Sequence, residues 1–229
     1  MSAPLIDEIR AGLRAAADPG RAPQMQAYMK SAQPFLGVAL PEMRRLTRQA
    51  AQRHPFSTRT ELEQVVRELW THARFREERY AATALLDTRS ARAVRSAELL
   101  SLYRELIVSG AWWDHVDELA RRVGELRTRW PEVITPELTQ WTAADDLWLR
   151  RASIICQLGA GRDTDLALLT TAIEANAGER EFFLRKAIGW ALRDYARTDA
   201  AWVRAFVAGH ELSPLSQREA LKHVGSAPA

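Results

Sequence analysis

An indole and a carboxylate, Trp113 and Asp117, stand four residues apart in the stretch Ala111-Trp112-Trp113-Asp114-His115-Val116-Asp117-Glu118-Leu119. On a helix that spacing stacks them on one strip, with Arg121 one turn further on. The adjoining strip carries Trp112, Val116, Leu119, Ala120 and Val123, an apolar rail suited to a core. A π face beside an anion suits a planar cation, because the ring quadrupole and the carboxylate attract the same charge. The plainer alternative buries both tryptophans and pairs Asp117 with Arg121.

Two further strips carry a tryptophan beside charge. Lys186, Trp190, Arg193 and Arg197 recur at i, i+4, i+7 and i+11, off a rail of Leu184, Ile188, Ala191, Leu192 and Tyr195. An aromatic between cations is an arrangement that takes a phosphate backbone and its bases. Trp148 and Arg151 stand at i and i+3, with Leu149, Ala152 and Ile155 or Cys156 facing inward. Each pair alone is weak, since tryptophan at helical spacing is more often core. Three at one repeat phase point to a lined groove.

Other chemistries have no residues to carry them. The five histidines, His54, His72, His115, His210 and His223, show neither i, i+4 pairing nor an HExxH pattern. Cys156 is the only cysteine, which excludes an intramolecular disulfide and a cysteine zinc site. P-loop, GxGxxG and GxSxG motifs are absent, so neither a nucleotide cofactor nor acyl transfer is expected. Asp117 is left as the best candidate for a catalytic group.

The elements that must position these residues read as helices throughout, because no period-2 segment of convincing length occurs. The first covers Pro4 to Ala17, with Leu5, Ile6, Ile9 and Leu13 on one side; a short one follows at Pro23 to Met29. Pro41-Glu42 opens a third, which sets Arg44, Arg45 and Arg48 opposite Met43, Leu46 and Ala50. Thr60-Glu61-Leu62-Glu63 reads as a capping box for a fourth. Further helices are expected at Phe75 to Leu86, Ser96 to Val108, Trp112 to Leu126, Thr135 to Trp141, Asp145 to Leu158, Thr164 to Ala175, Phe182 to Tyr195, Asp199 to Ala208 and Pro214 to His223. Thr135-Pro136 and Ser213-Pro214 each put a capping hydroxyl before a proline at the first helical position.

One series starts near Phe75, Trp112, Asp145 and Phe182, and its partners near Ser96, Thr135, Thr164 and Asp199. Steps of roughly 30–40 residues are the period of two-helix solenoid repeats. The expected architecture is an all-α, HEAT-like-repeat α-solenoid, curved, with the first series lining a concave face. No Gly-, Ser- or Pro-rich linker divides it, so a single domain over residues 1–229 is expected.

Composition sets the class of partner. Hydrophobic residues make up 47% and charged residues 27%, as in a globular chain. Only three of the 32 basic residues are lysines, which leaves 29 arginines for bidentate contacts with phosphate. A GC-rich genome produces the same bias. Met1 to Leu13 contains Asp7, Glu8 and Arg10 and no apolar core of a signal peptide. No apolar run reaches the ~18 residues that span a bilayer, so a cytoplasmic protein is expected.

Several motifs occur together and in order: Phe35-Leu36-Gly37 with Pro41-Glu42, Arg67-Glu68-Leu69-Trp70, Trp112-Trp113-Asp114-x-Val116-Asp117, and Trp148-Leu149-x-Arg151-Ala152. Lys186-Ala187-Ile188-Gly189-Trp190 follows, with Leu192-Arg193-x-Tyr195-Ala196, and then Pro214-Leu215-Ser216-x-Arg218-Glu219-Ala220. From Tyr28 to His223 the chain resembles the AlkD-type DNA alkylation repair glycosylases. That resemblance implies a helical-repeat fold holding duplex DNA on a basic concave face, without metal or organic cofactor. It also implies hydrolysis of the N-glycosidic bond of cationic alkylated purines, chiefly N3-methyladenine and N7-methylguanine, on a base left stacked in the duplex.

Carried over by motif, Asp117 is the catalytic carboxylate, and Trp113 and Trp190 flank the sugar and backbone of the lesion. Arg151 contacts the DNA, and Tyr28, Arg44, Arg45 and Arg193 are further contacts; the residue reading adds Lys186 and Trp148. Ala39 departs from the family pattern, at a loop position where a polar residue near the DNA is expected. The protein is expected to act as a monomer. Two rivals remain at this point, a non-catalytic relative that binds distorted or branched DNA and a helical-repeat scaffold for a protein partner.

Overall fold

The computed structural model describes residues 3–224 and is all-α over that range. Met1 and Ser2 of the N-terminal run, and both ends of the expected single domain, lie outside the described residues. The chain forms two compact units, one ending at Leu99 and one beginning at Leu100.

In the first unit, α1 (Ala3–Ala15), α3 (Leu40–Arg53) and α5 (Arg76–Leu85) pack on one another, and α4 (Arg59–Thr71) packs on α5. The rails read from the sequence are the ones that meet: Leu5, Ile6, Ile9 and Leu13 of α1, Met43 and Ala50 of α3, and Leu62, Val65, Val66 and Leu69 of α4 are buried. Each of these leucine, isoleucine, valine and methionine side chains contributes about 1.5–3 kcal/mol on burial. The short α2 (Ala22–Met29) ends at Lys30, which is left-handed (φ 49°). A five-residue α6 (Arg89–Ala93), capped by Thr88, was not expected from the sequence.

The cap of α4 differs from the expected one by a register of two. Thr58, not Thr60, is the cap: its hydroxyl accepts from Glu61 N–H at 3.2 Å, and Glu61 Oε2 takes Ser57 N–H at 3.0 Å. Both threonines have a glutamate three residues on, so the local pattern is degenerate and chain direction into the helix decides.

Phe35-Leu36-Gly37 is a docked loop. The fully buried Glu77 of α5 accepts the N–H groups of Leu36 (2.9 Å), Gly37 (2.8 Å) and Val38 (3.2 Å). Gly37 has φ +85° and lies so near Asp18 that a Cβ there would stand 2.0 Å from the Asp18 carbonyl oxygen, so only glycine fits. Ala39, just beyond, precedes α3 with no side-chain cap.

The second unit begins within α7 (Leu99–Gly110), followed by α8 (Trp113–Arg129), α9 (Pro131–Trp141), α10 (Leu147–Ile155), α11 (Leu166–Glu174), α12 (Phe182–Tyr195), α13 (Ala200–Gly209) and α14 (Pro214–Ala220). Helices α8, α10, α12 and α14 pack in succession, with α9 against the first two, α11 against α9 and α10, and α13 against the last two. This alternation is the repeat rhythm expected from the sequence. Ser213 caps α14 through Ser216 N–H with Pro214 behind it, as expected. Thr135-Pro136 does not start α9: the helix begins at Pro131, and Pro136 lies inside it. Two prolines compete for the first position, and the earlier one wins at the loss of one backbone hydrogen bond at the second.

Gly110 does not supply the left-handed residue between α7 and α8. Ala111 does, at φ 39°. A non-glycine residue there costs on the order of 1 kcal/mol, and it turns the chain directly into Trp112-Trp113.

Candidate active site

Helix α8 buries Val116, Leu119, Ala120 and Val123 completely, which fixes its rotation and leaves Asp117 on the flank. Trp112 is the residue before the helix rather than its first turn, and it is half-buried. Its ring joins an aromatic cluster with Trp148 (6.1 Å) and Phe183 (5.5 Å), whose own rings are 5.1 Å apart. Trp112 therefore takes the packing role, while Trp113, half-buried, heads the Asp117 strip one turn before the carboxylate.

Asp117 does not pair with Arg121. Arg121 turns to Glu125 and Glu118 on its own helix. Asp117 is gripped from α10: Arg151 Nε donates to Oδ1 at 2.7 Å and Nη2 to Oδ2 at 2.8 Å, a bidentate fork. The third branch, Nη1, donates to the Phe183 carbonyl at 2.6 Å, so one guanidinium ties α8, α10 and α12 together. The Arg151 side chain is 1% exposed, whereas that of Asp117 keeps 26%. Burial raises the Asp117 pKa above the ordinary carboxylate value, Arg151 opposes that, and Asp114 adds to it.

Two other expected DNA contacts lie inside the fold. Arg151 is buried, and each of its three guanidinium nitrogens donates to Asp117 or to the Phe183 carbonyl. Trp148 is also buried, at 8%, within the aromatic cluster. Asp146 directs both, by capping α10 through Trp148 and Leu149 N–H, each at 2.9 Å. The close approach of α8 and α10 depends on Gly124, where a Cβ would stand 1.9 Å from the Cys156 carbonyl oxygen. Cys156 itself is buried, its thiol pushed up to about 12 by burial, and it is inert as a nucleophile.

Trp190 of α12 is half-buried, and the Arg151 guanidinium carbon lies 5.2 Å from its ring centroid. The other face-seeking cation is Lys186, with Nζ at 5.3 Å. Asp117, Arg151, Trp190 and Lys186 thus form one linked set. Arg193 stays on the same strip, and Arg197 is exposed beyond the helix end. Tyr195, expected in the buried rail, is half-buried and packs edge-on against Trp202.

Tyr28, Arg44 and Arg45 belong to the first unit. Tyr28 is 74% exposed, Arg44 is exposed, and Arg45 pairs with Glu42 at 2.6 Å on the surface of α3. Sequence reasoning missed two participants. Phe183 offers a carbonyl to Arg151 and a ring to the cluster, and Glu219 of α14 binds Lys186 and Arg193. The signal for Glu219 was its place in the Ser216-x-Arg218-Glu219 motif, which gave no role.

Among the described residues no group of three or more His, Cys, Asp or Glu could hold a metal ion. No helix among them is long and apolar enough to cross a membrane.

The family model described as DNA alkylation repair enzyme matches residues 9–224. A solved structure described as a predicted DNA alkylation repair enzyme from Enterococcus faecalis is similar in fold, with a TM-score of 0.84 and 30% identity over 92% of this chain and 98% of that one. None of the curated proteins matches. The all-helical repeat, its motifs in order and both comparisons lead to one conclusion: this chain belongs to the DNA alkylation repair enzyme family.

Proposed function

We propose that the protein is a monofunctional, monomeric DNA glycosylase that hydrolyses the N-glycosidic bond of cationic N3- or N7-alkylated purines in duplex DNA. The observation that carries this is Asp117: a carboxylate locked at both oxygens by a buried arginine, yet with a quarter of its side chain open to a ligand.

Alkylation puts a formal positive charge on the purine. When the C1′–N bond breaks, its electron pair neutralises the departing base, so the base needs no proton from a general acid. The positive charge passes to the deoxyribose as an oxocarbenium-like ion. Asp117 stabilises that ion and takes up the proton of the water that adds to C1′. Trp113 and Trp190 contribute cation–π attraction, about 0.5–2 kcal/mol each. Arg151 keeps the carboxylate preorganised, so little reorientation is needed as charge develops. Lys186 and Arg193, with Tyr28, Arg44 and Arg45, contact the DNA backbone.

Contact through sugar and backbone leaves the base stacked, with no extrusion into a pocket, so bulky cationic adducts are accepted too. The discriminating experiment compares duplexes that carry N7-methylguanine, a bulky N7 adduct, or a neutral lesion such as hypoxanthine. Release of both cationic bases and not of hypoxanthine supports the mechanism. Release of hypoxanthine, or of methylated bases alone, contradicts the leaving-group argument or the unflipped base respectively.

A further inference from the structure

Glu219 lies on α14, a helix that supplies none of the expected site residues. Its carboxylate holds two cations of α12, Lys186 Nζ at 2.9 Å on Oε1 and Arg193 Nη1 at 2.7 Å on Oε2. The Lys186 hydrogen bond is the largest influence keeping its pKa below the usual carboxylate range, so it is an anion at neutral pH. The approach is built into the backbones. A Cβ on Gly189 would stand 2.4 Å from Glu219 Cβ and 3.0 Å from the Ser216 carbonyl oxygen, so α12 and α14 meet closely at this point.

Lys186 and Arg151 both lie against Trp190. The ion pairs here join three cations, Arg151, Lys186 and Arg193, to two carboxylates, Asp117 and Glu219, and Asp114 adds a further negative charge beside Asp117. Phosphate favours more positive charge here; a cationic base and a developing sugar cation favour less. The two demands conflict, and Glu219 stands between them.

We propose that Glu219 is a positioning residue that sets the charge around Trp190: it neutralises Lys186 and Arg193 so that a cation can form against the indole, at the expense of DNA affinity. The assignment rests on the glycosylase reading above. Its distinguishing consequence is that binding and excision move in opposite directions, because the freed cations turn to phosphate and also repel the transition state.

The test is Glu219→Gln in the full chain, assayed with an unmodified duplex for binding and the same duplex with N7-methylguanine for single-turnover release. Binding should tighten several-fold, with a log–log salt slope steeper by about 0.9 for each added phosphate contact. Release should slow by about tenfold, the scale of one unneutralised charge in a partly dry site. Adding Lys186→Met to Glu219→Gln should recover part of the release rate at saturating protein while it removes the gain in binding, and Glu219→Asp should keep both properties near wild type. If Glu219→Gln weakens binding and release together with a lowered Tm, Glu219 is only a brace and the proposal is overturned; unchanged values overturn it equally. Absence of release by the wild-type protein instead overturns the glycosylase reading, and the proposal with it.

Discussion

Arg151 reaches from α10 to grip both oxygens of Asp117 on α8, at 2.7 and 2.8 Å, while its remaining branch holds the Phe183 carbonyl of α12. The pair is asymmetric, since the arginine is sealed and the aspartate is partly open. A charge removed from one side therefore leaves different consequences from a charge removed from the other.

Asp117→Ala strands a buried guanidinium, the situation in which breaking an ion pair costs about 3–5 kcal/mol. Asp117→Asn keeps one oxygen to accept from Arg151 and should be the more stable of the two. Thermal unfolding of the two variants beside wild type checks the order; equal Tm values would mean that the fork contributes little to the fold. Asp117→Asn is accordingly the better variant for kinetics.

Arg151→Lys preserves charge but not the planar fork, so the carboxylate loses its fixed orientation. Single-turnover excision should fall by about 10²-fold, the scale of a misplaced catalytic group, with DNA binding little changed because Arg151 is not at the surface. A large loss of binding with intact chemistry in the bound complex would return Arg151 to the DNA.

The raised pKa of Asp117 has a sign that can be followed. On the proposed mechanism the anion is the working form, so activity should fall as pH drops through a value raised above that of an ordinary aspartate. Arg151 holds that value down and Asp114 pushes it up. Asp114→Asn should then move the acid limb of the single-turnover pH profile to lower pH, and Arg151→Met should move it higher. An acid limb unmoved by either substitution would separate the titrating group from Asp117.

Gly124→Ala would place a methyl group 1.9 Å from the Cys156 carbonyl oxygen, backbone that cannot swing aside. Overpacking of this kind costs about 1–3 kcal/mol, and it separates α8 from α10. Tm and excision should both fall, excision by the larger factor, because Asp117 and Arg151 sit on the two displaced helices. Wild-type excision with a lowered Tm would show that the fork tolerates the shift.

Much of this was written in local periodicity. The helix Phe182–Tyr195 has the bounds expected from its apolar rail of Leu184, Ile188, Ala191 and Leu192, and the Trp113–Asp117 strip follows from helix geometry alone. What periodicity does not carry is which flank residue turns inward at a tertiary contact. Arg121 and Arg151 look alike in sequence, but Arg151 is 34 residues from Asp117 and meets it only after α8 and α10 pack. Trp148 has the same ambiguity, resolved by the rings of Trp112 and Phe183. Glu219 is the extreme case: its partners are two turns of another helix, and no local pattern distinguishes it from a solvated surface glutamate. The displaced helix starts, at the Thr58 cap and at Pro131, arose because two competing signals stood a few residues apart.

The most direct measurement is release of free 7-methylguanine from a duplex that carries it, by wild type beside Asp117→Asn, with binding of the same duplex measured for both. The account predicts release by wild type, little or none by Asp117→Asn, and binding by the variant at least as tight, since one negative charge is gone from near the phosphates. Unchanged release by a folded, DNA-bound Asp117→Asn would contradict it.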